Sequence, residues 1–345
     1  SEAFFPGEDE ILSLMKTFAV FWIAFFFRPI GGVVFGAMGD KMGRKPAVLT
    51  AIFTMAASTV TMGCLPTYDQ VGALAPVCLI IARALQGLSV GGQLVGTFAF
   101  SVESAPEGHK CLFGCLVGAG GGFGFTLGSA FATLLNDTLT PEQMHSFGWR
   151  IPFWFGASAG LAAYFAKDHV EESDEGKALA AEAEASGDAA PRPSPTMEAI
   201  RLFWREILLV AGVMSFGANG GYMSAVWLVN YATDIVKPAI PHAHALTTIN
   251  LLFGTPCQIW AALQADKAEV GYTFVISLGA AAFLSMLIPA FGLIAGGTPA
   301  GYMVGQGVLM AANNMFFAPI AVWMVQTFTD PRCRYSAMGI GYNLA

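Results

Sequence analysis

The sequence predicts an all-α, polytopic membrane protein. Three observations predict it: a composition poor in charge, a series of apolar runs long enough to cross a bilayer, and basic loops that alternate between those runs. Of 345 residues, 55% are hydrophobic and 12% charged, about half the charged share of an ordinary soluble domain. A hydrocarbon core about 30 Å thick takes roughly 20 apolar residues of helix. Nine such runs are complete, at 13–36, 46–65, 74–102, 111–135, 149–167, 206–231, 245–264, 272–295 and 300–328. A tenth opens at Tyr335.

The loops between these runs fall into two alternate sets. One carries Lys41, Arg44, Lys45, Lys110, Lys167, Lys267, Arg332 and Arg334, with Lys177, Arg192, Arg201 and Arg205 in a long connector. The other carries little beyond Lys16, Arg150 and Lys237. Lysine and arginine collect in cytoplasmic loops, so the first set is predicted to be cytoplasmic and residues 1–12 to face outside. The connector from His169 to Glu206 is rich in Ala and Glu and broken by Pro191, Pro193 and Pro195. That composition predicts a solvated linker with a helix in its first half. The net charge of −7 is concentrated there, and no nucleic-acid partner is expected. The six cysteines form no CxxC pair and lie at no zinc spacing. They read as small packing residues, and His242 and His244 as solvated. Neither a metal nor another cofactor is predicted.

The loop GAMGDKMGRKP, Gly36 to Pro46, sets Asp40 among Lys41, Arg44 and Lys45, with Gly36, Gly39 and Gly43 freeing the backbone for a tight turn. Positive-inside bias accounts for the bases but not for Asp40 or the glycine spacing. Here the chain resembles the major facilitator superfamily, whose signature between its second and third helices reads G-x-x-x-D-[RK]-x-G-[RK]-[RK]. It resembles in particular the metabolite:proton symporters that carry organic acids, shikimate, proline or betaine. The stretches that carry this are FFP at Phe4 to Pro6, RPIGG at Arg28 to Gly32, RALQGLSVGGQ at Arg83 to Gln93, GWRIPF at Gly148 to Phe153 and RYSA at Arg334 to Ala337. The resemblance implies two helical bundles. Residues 1–168 would hold family helices 2–6, 169–205 the cytoplasmic linker, and 206–345 helices 7–10 with the start of the eleventh. The first helix, most of the eleventh and the twelfth would be absent.

Two arginines lie deep in the predicted spans. Arg28 is eight residues before Gly36, about 12 Å along a helix, and Arg83 about nine residues inside its span, roughly 14 Å. An arginine at that depth costs at least a few kcal/mol unless paired or hydrated, and its planar guanidinium suits a carboxylate. From Arg83, residues Gln86, Val90, Gln93, Thr97 and Ser101 fall within an arc of about 80°, a polar face suited to a bundle interior. The resemblance implies that the motif holding Arg83 takes part in proton coupling. This chain, however, has Gln93 where the family has glutamate, and an amide cannot exchange a proton.

Glu103 is predicted to pair with Arg44, completing a cytoplasmic latch with Asp40. Gly120, Gly124 and Gly128, like Gly114, Gly118 and Gly122, repeat every four residues and predict close helix packing. In the second half, ADKAEV at Ala265 to Val270 occupies the place of a repeated signature but keeps only Asp266 and Lys267, a decayed repeat. Asn219, Tyr222, Trp227, Asn230, Asn313 and Asn314 fit either a cavity wall or packing and anchoring.

These features predict a monomeric secondary transporter in the plasma membrane. It would move a small organic acid or zwitterion by alternating access, with the lipid bilayer as its other partner and the proton as coupling ion. A sugar-type porter is the alternative within transport, but it would carry a PESPR-like sequence where this chain has VEESDE, Val170 to Glu175. A non-transporting membrane sensor is the alternative outside it. The absence of HExxH, GxSxG and paired intramembrane carboxylates argues against an enzyme.

Overall fold

The computed structural model describes residues 4, 10–169, 171–186, 194–267 and 269–345. Phe5 and Pro6 of the FFP stretch, Val170, Pro191, Arg192, Pro193 and Ala268 lie outside the described residues. Among those described there is no strand. The helices are α1 (Glu10–Met42), α2 (Arg44–Cys64), α3 (Tyr68–Val71), α4 (Leu74–Glu103), α5 (Lys110–Thr138), α6 (Pro141–Ser146), α7 (Ile151–Ala166), α8 (Asp174–Ser186) and α9 (Pro195–Tyr222). They continue as α10 (Leu228–Asn230), α11 (Ala243–Ala265), α12 (Tyr272–Ala295), α13 (Pro299–Phe317), α14 (Ile320–Thr327) and α15 (Arg334–Asn343).

Local chemistry sets several of these boundaries. α1 runs on past the predicted end at 36 and stops at Met42, because Gly43 takes φ +98° and turns the chain directly into α2. That left-handed value suits a residue without Cβ. Thr298 caps α13 by accepting from the Gly301 N–H, with Pro299 at the first helical position. Two π-helical turns, Met223–Trp227 and Tyr231–Ile235, prolong α9 where sequence periodicity predicts plain helix.

Six stretches among the described residues are long and apolar enough to span a bilayer: 19–42, 44–64, 74–103, 110–128, 272–295 and 299–327. Their outward faces carry Phe26 at 75% exposure and Ile288 at 83%. A soluble domain buries such side chains, whereas lipid solvates them.

The helices cluster into two compact units. The first comprises Ser1–Phe100, Leu127–Ile207 and Asp330–Leu344, and the second Ser101–Thr126 and Leu208–Thr329, with Ala345. In the first unit α1 packs along α15 and α2 along α7. α1 and α4 approach backbone to backbone, since a methyl at Gly87 would collide with the Ala24 carbonyl, at Gly91 with that of Arg28, and at Gly31 with that of Leu88. In the second unit α13 packs against α12 and α11, around Leu228, Phe283, Ile294, Tyr302 and Leu309.

The glycines predicted to mediate packing sit elsewhere. A methyl at Gly120, Gly124 or Gly128 would meet no atom within 4 Å, so four-residue spacing alone does not mark a contact. Gly114, against Ala321 and Val102, and Gly118, at contact distance from Gln258, are the members of the second string that do face neighbours. Gly91→Val is therefore expected to destabilise the protein by about 1–3 kcal/mol through overpacking, whereas Gly124→Ala, in mid-helix with open space around it, is expected to stabilise it by about 0.5–1 kcal/mol. Thermal unfolding of the two variants in detergent checks the contrast.

Candidate gating and substrate sites

The signature loop builds a buried polar cluster at the basic end of the first unit. Asp40 lies in the last turn of α1 and Arg44 at the start of α2, and Gly43 between them lets both side chains turn inward. Arg44 Nη1 donates to Asp40 Oδ1 at 2.7 Å, and neither side chain is exposed to solvent. Arg44 also donates to the carbonyls of Gly39 at 3.0 Å and Pro331 at 2.9 Å. The two Asp40 oxygens accept the backbone N–H groups of Tyr335 at 3.0 Å and Ser336 at 2.8 Å. One carboxylate thus satisfies two orphan donors in the first turn of α15, where the helix dipole favours negative charge.

The glycine spacing of the signature has a direct use in this cluster. The Tyr335 ring lies against Gly39 and Gly96, a methyl at either would collide with it, and its hydroxyl donates to the Gly92 carbonyl at 2.7 Å. Gly36 makes room for the Ser336 backbone in the same way. Cys333 precedes α15 and is fully buried, and burial, helped by the charges of Asp330, Asp40 and Glu198, pushes its thiol up to about 12.

Part of the predicted solvated linker is docked on this cluster. Glu172 Oε2 accepts the Lys45 N–H at 2.9 Å, capping α2, and Glu175 pairs with Arg334. Ser173 and Leu179 are buried. The helix predicted in the first half of the linker is α8, and its first two turns have apolar and ionic partners that composition alone does not reveal. Lys41 is exposed and Lys45 half-buried. Glu103, the predicted partner of Arg44, closes α4 within the second unit.

Both membrane-depth arginines lie in the first unit and are half-buried. Arg28 is about 14 Å from one end of its 24-residue span and about 21 Å from the other. Its Nε donates to Asn343 Oδ1 at 3.3 Å, and Phe25 and Tyr342 flank the guanidinium at 5.5 and 5.8 Å. Asn343 Nδ2 in turn donates to the carbonyls of Gly91 and Gly339. Arg83 Nη1 donates to Gln86 Oε1 at 3.3 Å, and Gln86 Nε2 to Thr59 Oγ1 at 3.0 Å. Within this unit, among the described residues, neither arginine has a carboxylate partner. The polar face predicted from Arg83 is present: Gln86 is buried, Gln93, Thr97 and Ser101 are half-buried, and the Thr97 hydroxyl donates to the Gln93 carbonyl.

The second unit contains a cavity of about 360 Å³ lined by Gly217, Tyr222, Ser224, Asn313, Asn314 and Phe317, among others. Among the described residues that line it, none is charged. Tyr222, Asn313 and Asn314 thus share a wall, whereas Asn219 is exposed and donates to the Ser215 carbonyl of its own helix.

Beneath this wall lies a polar network that sequence reasoning missed. Gln306, fully buried, donates to the Ser224 carbonyl at 2.9 Å and to Thr247 Oγ1 at 3.0 Å, and accepts from Asn250 Nδ2 at 2.9 Å. Thr247 also bonds the Tyr302 hydroxyl at 2.8 Å. Ser224 lies in the first π-helical turn, where backbone partners shift, and Gln306 ties that turn to α11 and α13. The available signal was the four-residue spacing of Tyr302 and Gln306 inside an apolar run.

Comparison with known proteins places this geometry. The family model described as Major Facilitator Superfamily matches residues 12–344. The shikimate transporter of Escherichia coli K12 is 30% identical over 351 residues, covering 99% of this chain and 77% of that protein. A putative proline/betaine transporter of Staphylococcus aureus COL is 34% identical over 288 residues, covering 82% of this chain, and the match spans 60% of that relative's length. Among solved structures, a double-tryptophan mutant of XylE superposes with a TM-score of 0.71 at 17% identity, over 98% of this chain and 78% of that one. The fold and the relatives are those of transporters rather than enzymes. With its buried Asp40–Arg44 signature and its membrane-length apolar helices, the chain is an integral membrane protein and belongs to the Major Facilitator Superfamily.

Proposed function

We propose that the chain forms the greater part of a secondary active transporter that moves a small organic acid or zwitterion by alternating access. It would act in the plasma membrane, by symport with protons. In this reading there are nine complete spans and the start of a tenth, with bundles at 1–168 and 206–345 joined by the linker at 169–205.

The observation that carries the substrate class is the state of Arg28 and Arg83. Among the described residues of the first unit, the hydrogen-bond partners of these two half-buried guanidinium groups are neutral amides, Asn343 and Gln86, with the Phe25 and Tyr342 rings beside Arg28. An unpaired cation there is costly, and a substrate carboxylate supplies the missing charge with bidentate geometry. The names of the shikimate and proline/betaine relatives agree with a solute that carries a carboxylate.

A second reading, uniport, is favoured by one observation. The six long apolar stretches carry acidic residues only at Asp40 and Glu103, both at their ends, and Asp40 is committed to α15. Uptake of labelled carboxylic acids, betaines and sugars into proteoliposomes, with and without an imposed pH gradient, tests both readings. Proton symport predicts carboxylate or zwitterion uptake that rises with inward proton flow. Saturable uptake indifferent to the gradient supports uniport, and uptake of sugars alone contradicts the substrate class. If Gln93 occupies a vacated proton site, Gln93→Glu is expected to make gradient-independent uptake proton-dependent.

A further inference from the structure

The helical period changes at Ser224. Up to it the buried positions are Val210, Met214, Gly217, Gly220 and Ser224, in the mixed steps of three and four that a regular α-helix requires. Beyond it Leu228, Ala232 and Val236 are buried, in steps of four throughout. In a regular helix each step of four overshoots a turn by about 40°, which would carry Val236 about 120° away from Ser224. The two π-helical turns take up the excess. The Leu228 N–H reaches the Met223 carbonyl and the Val236 N–H that of Tyr231, each five residues back. Leu228, Ala232 and Val236 therefore stay in the core with Phe283 and Ile294, while the cavity face of the same segment, with Ala218, Tyr222, Ala225 and Val226, ends at the first π-helical turn.

Each π-helical turn has a holder from another part of the unit. At the second, Trp227 and Tyr231 stack at 5.2 Å and lie against Phe291 of α12 at 5.9 and 5.6 Å. At the first, the holder is the amide of Gln306. Its Nε2 donates to the Ser224 carbonyl and to Thr247, and its Oε1 accepts from Asn250, so the amide is fixed on both sides. The Ser224 hydroxyl donates to the Gly220 carbonyl of its own helix at 2.7 Å. Gln306 thus grips the backbone of the turn and reads its conformation rather than its side chain. We propose that Gln306 is a positioning residue of the cavity: through the first π-helical turn it fixes which side chains of this segment face the cavity and which face the core. Gln306 is not itself among the residues that line the cavity. Relaxation of the turn to regular helix would draw the Ser224 carbonyl away and leave a fully buried donor without its acceptor, which is costly. Without the amide that cost vanishes, and the residues beyond the turn are free to rotate relative to Tyr222.

Single thiols introduced by Ala218→Cys, Val226→Cys and Leu228→Cys into the full-length protein in liposomes report the register. Each is alkylated with N-ethylmaleimide and quantified by peptide mass spectrometry, the reaction needing a thiolate and therefore water. With Gln306 in place, Val226→Cys is expected to react at least about tenfold faster than Leu228→Cys. In Gln306→Leu that ratio is expected to fall about tenfold or more, with Ala218→Cys, ahead of the turn, unchanged. Gln306→Asn keeps the amide but draws it back by one methylene, so that it cannot reach Ser224 and Thr247 together. It is expected to fall between the two, and it settles the matter if Gln306→Leu does not fold. An unchanged ratio in both variants, or a parallel rise at all three probes and the native cysteines, overturns the proposal. The part played in solute binding rests on the carrier reading. For a labelled carboxylic acid or betaine that the protein takes up, Gln306→Leu is expected to raise KM about tenfold with little change in maximal rate, and an unchanged KM beside a shifted register overturns that part. Labelling needs no solute, so a failure of the carrier reading and a failure of the positioning role are told apart.

Discussion

Asp40→Ala is expected to lower the unfolding temperature of the full-length protein sharply and to abolish its transport. The change removes the carboxylate that Arg44, fully buried, donates to, and leaves two backbone N–H groups at the start of α15 without that acceptor. Removing one partner of a buried pair costs about 3–5 kcal/mol. Asp40→Asn keeps one acceptor oxygen but not the charge, and is expected to fall between wild type and alanine. Arg44→Lys should be damaging as well, since one ammonium cannot reproduce the planar fork that reaches Asp40, Gly39 and Pro331 together. Thermal unfolding in detergent, read beside uptake, orders the series. An Asp40→Ala protein as stable as wild type would show that the cluster is not the anchor of α15.

Arg28→Lys is expected to reduce uptake efficiency by about 10- to 100-fold with membrane insertion unchanged. That range corresponds to the loss of one charge-assisted hydrogen bond, about 1.5–3 kcal/mol. The competing explanation is structural, with Arg28 simply holding Asn343 and through it the end of α15. Asn343→Ala separates the two. If Arg28 binds substrate, Asn343→Ala leaves the guanidinium free and costs far less uptake than Arg28→Lys. If Arg28 is a tether, the two variants lose uptake equally, and the loss follows the fall in stability. A rise in KM for Arg28→Lys with modest change in maximal rate marks substrate contact.

Long apolar runs and the positive-inside pattern are strong signals, because lipid forces each backbone hydrogen bond inside its own segment. The regular helices were therefore legible. The π-helical turns at 223–227 and 231–235 were not, since they depend on partners such as Gln306, 82 positions further along the chain from Ser224. Asp40 and Arg44 were legible as a unit because only four residues separate them. What Asp40 holds was not, as Tyr335 is 295 positions away. For the same reason Asp266 read as the remnant of a lost motif, although its carboxylate accepts the backbone N–H groups of Cys111 and Leu112. Glycine patterns misled where partners were not considered: Gly120, Gly124 and Gly128 of α5 face open space, whereas Gly31, Gly87 and Gly91, embedded in other motifs, bring two helices into contact.

Counterflow in proteoliposomes tests the central claim, that this is a carrier with a carboxylate-binding site. Vesicles containing the full-length protein are loaded with an unlabelled carboxylic acid or betaine and diluted into a trace of the labelled solute. The account predicts transient, saturable accumulation of label above equilibrium, abolished in Asp40→Ala and strongly reduced in Arg28→Lys. Saturable binding of the same solute without any counterflow would contradict it and leave a membrane sensor.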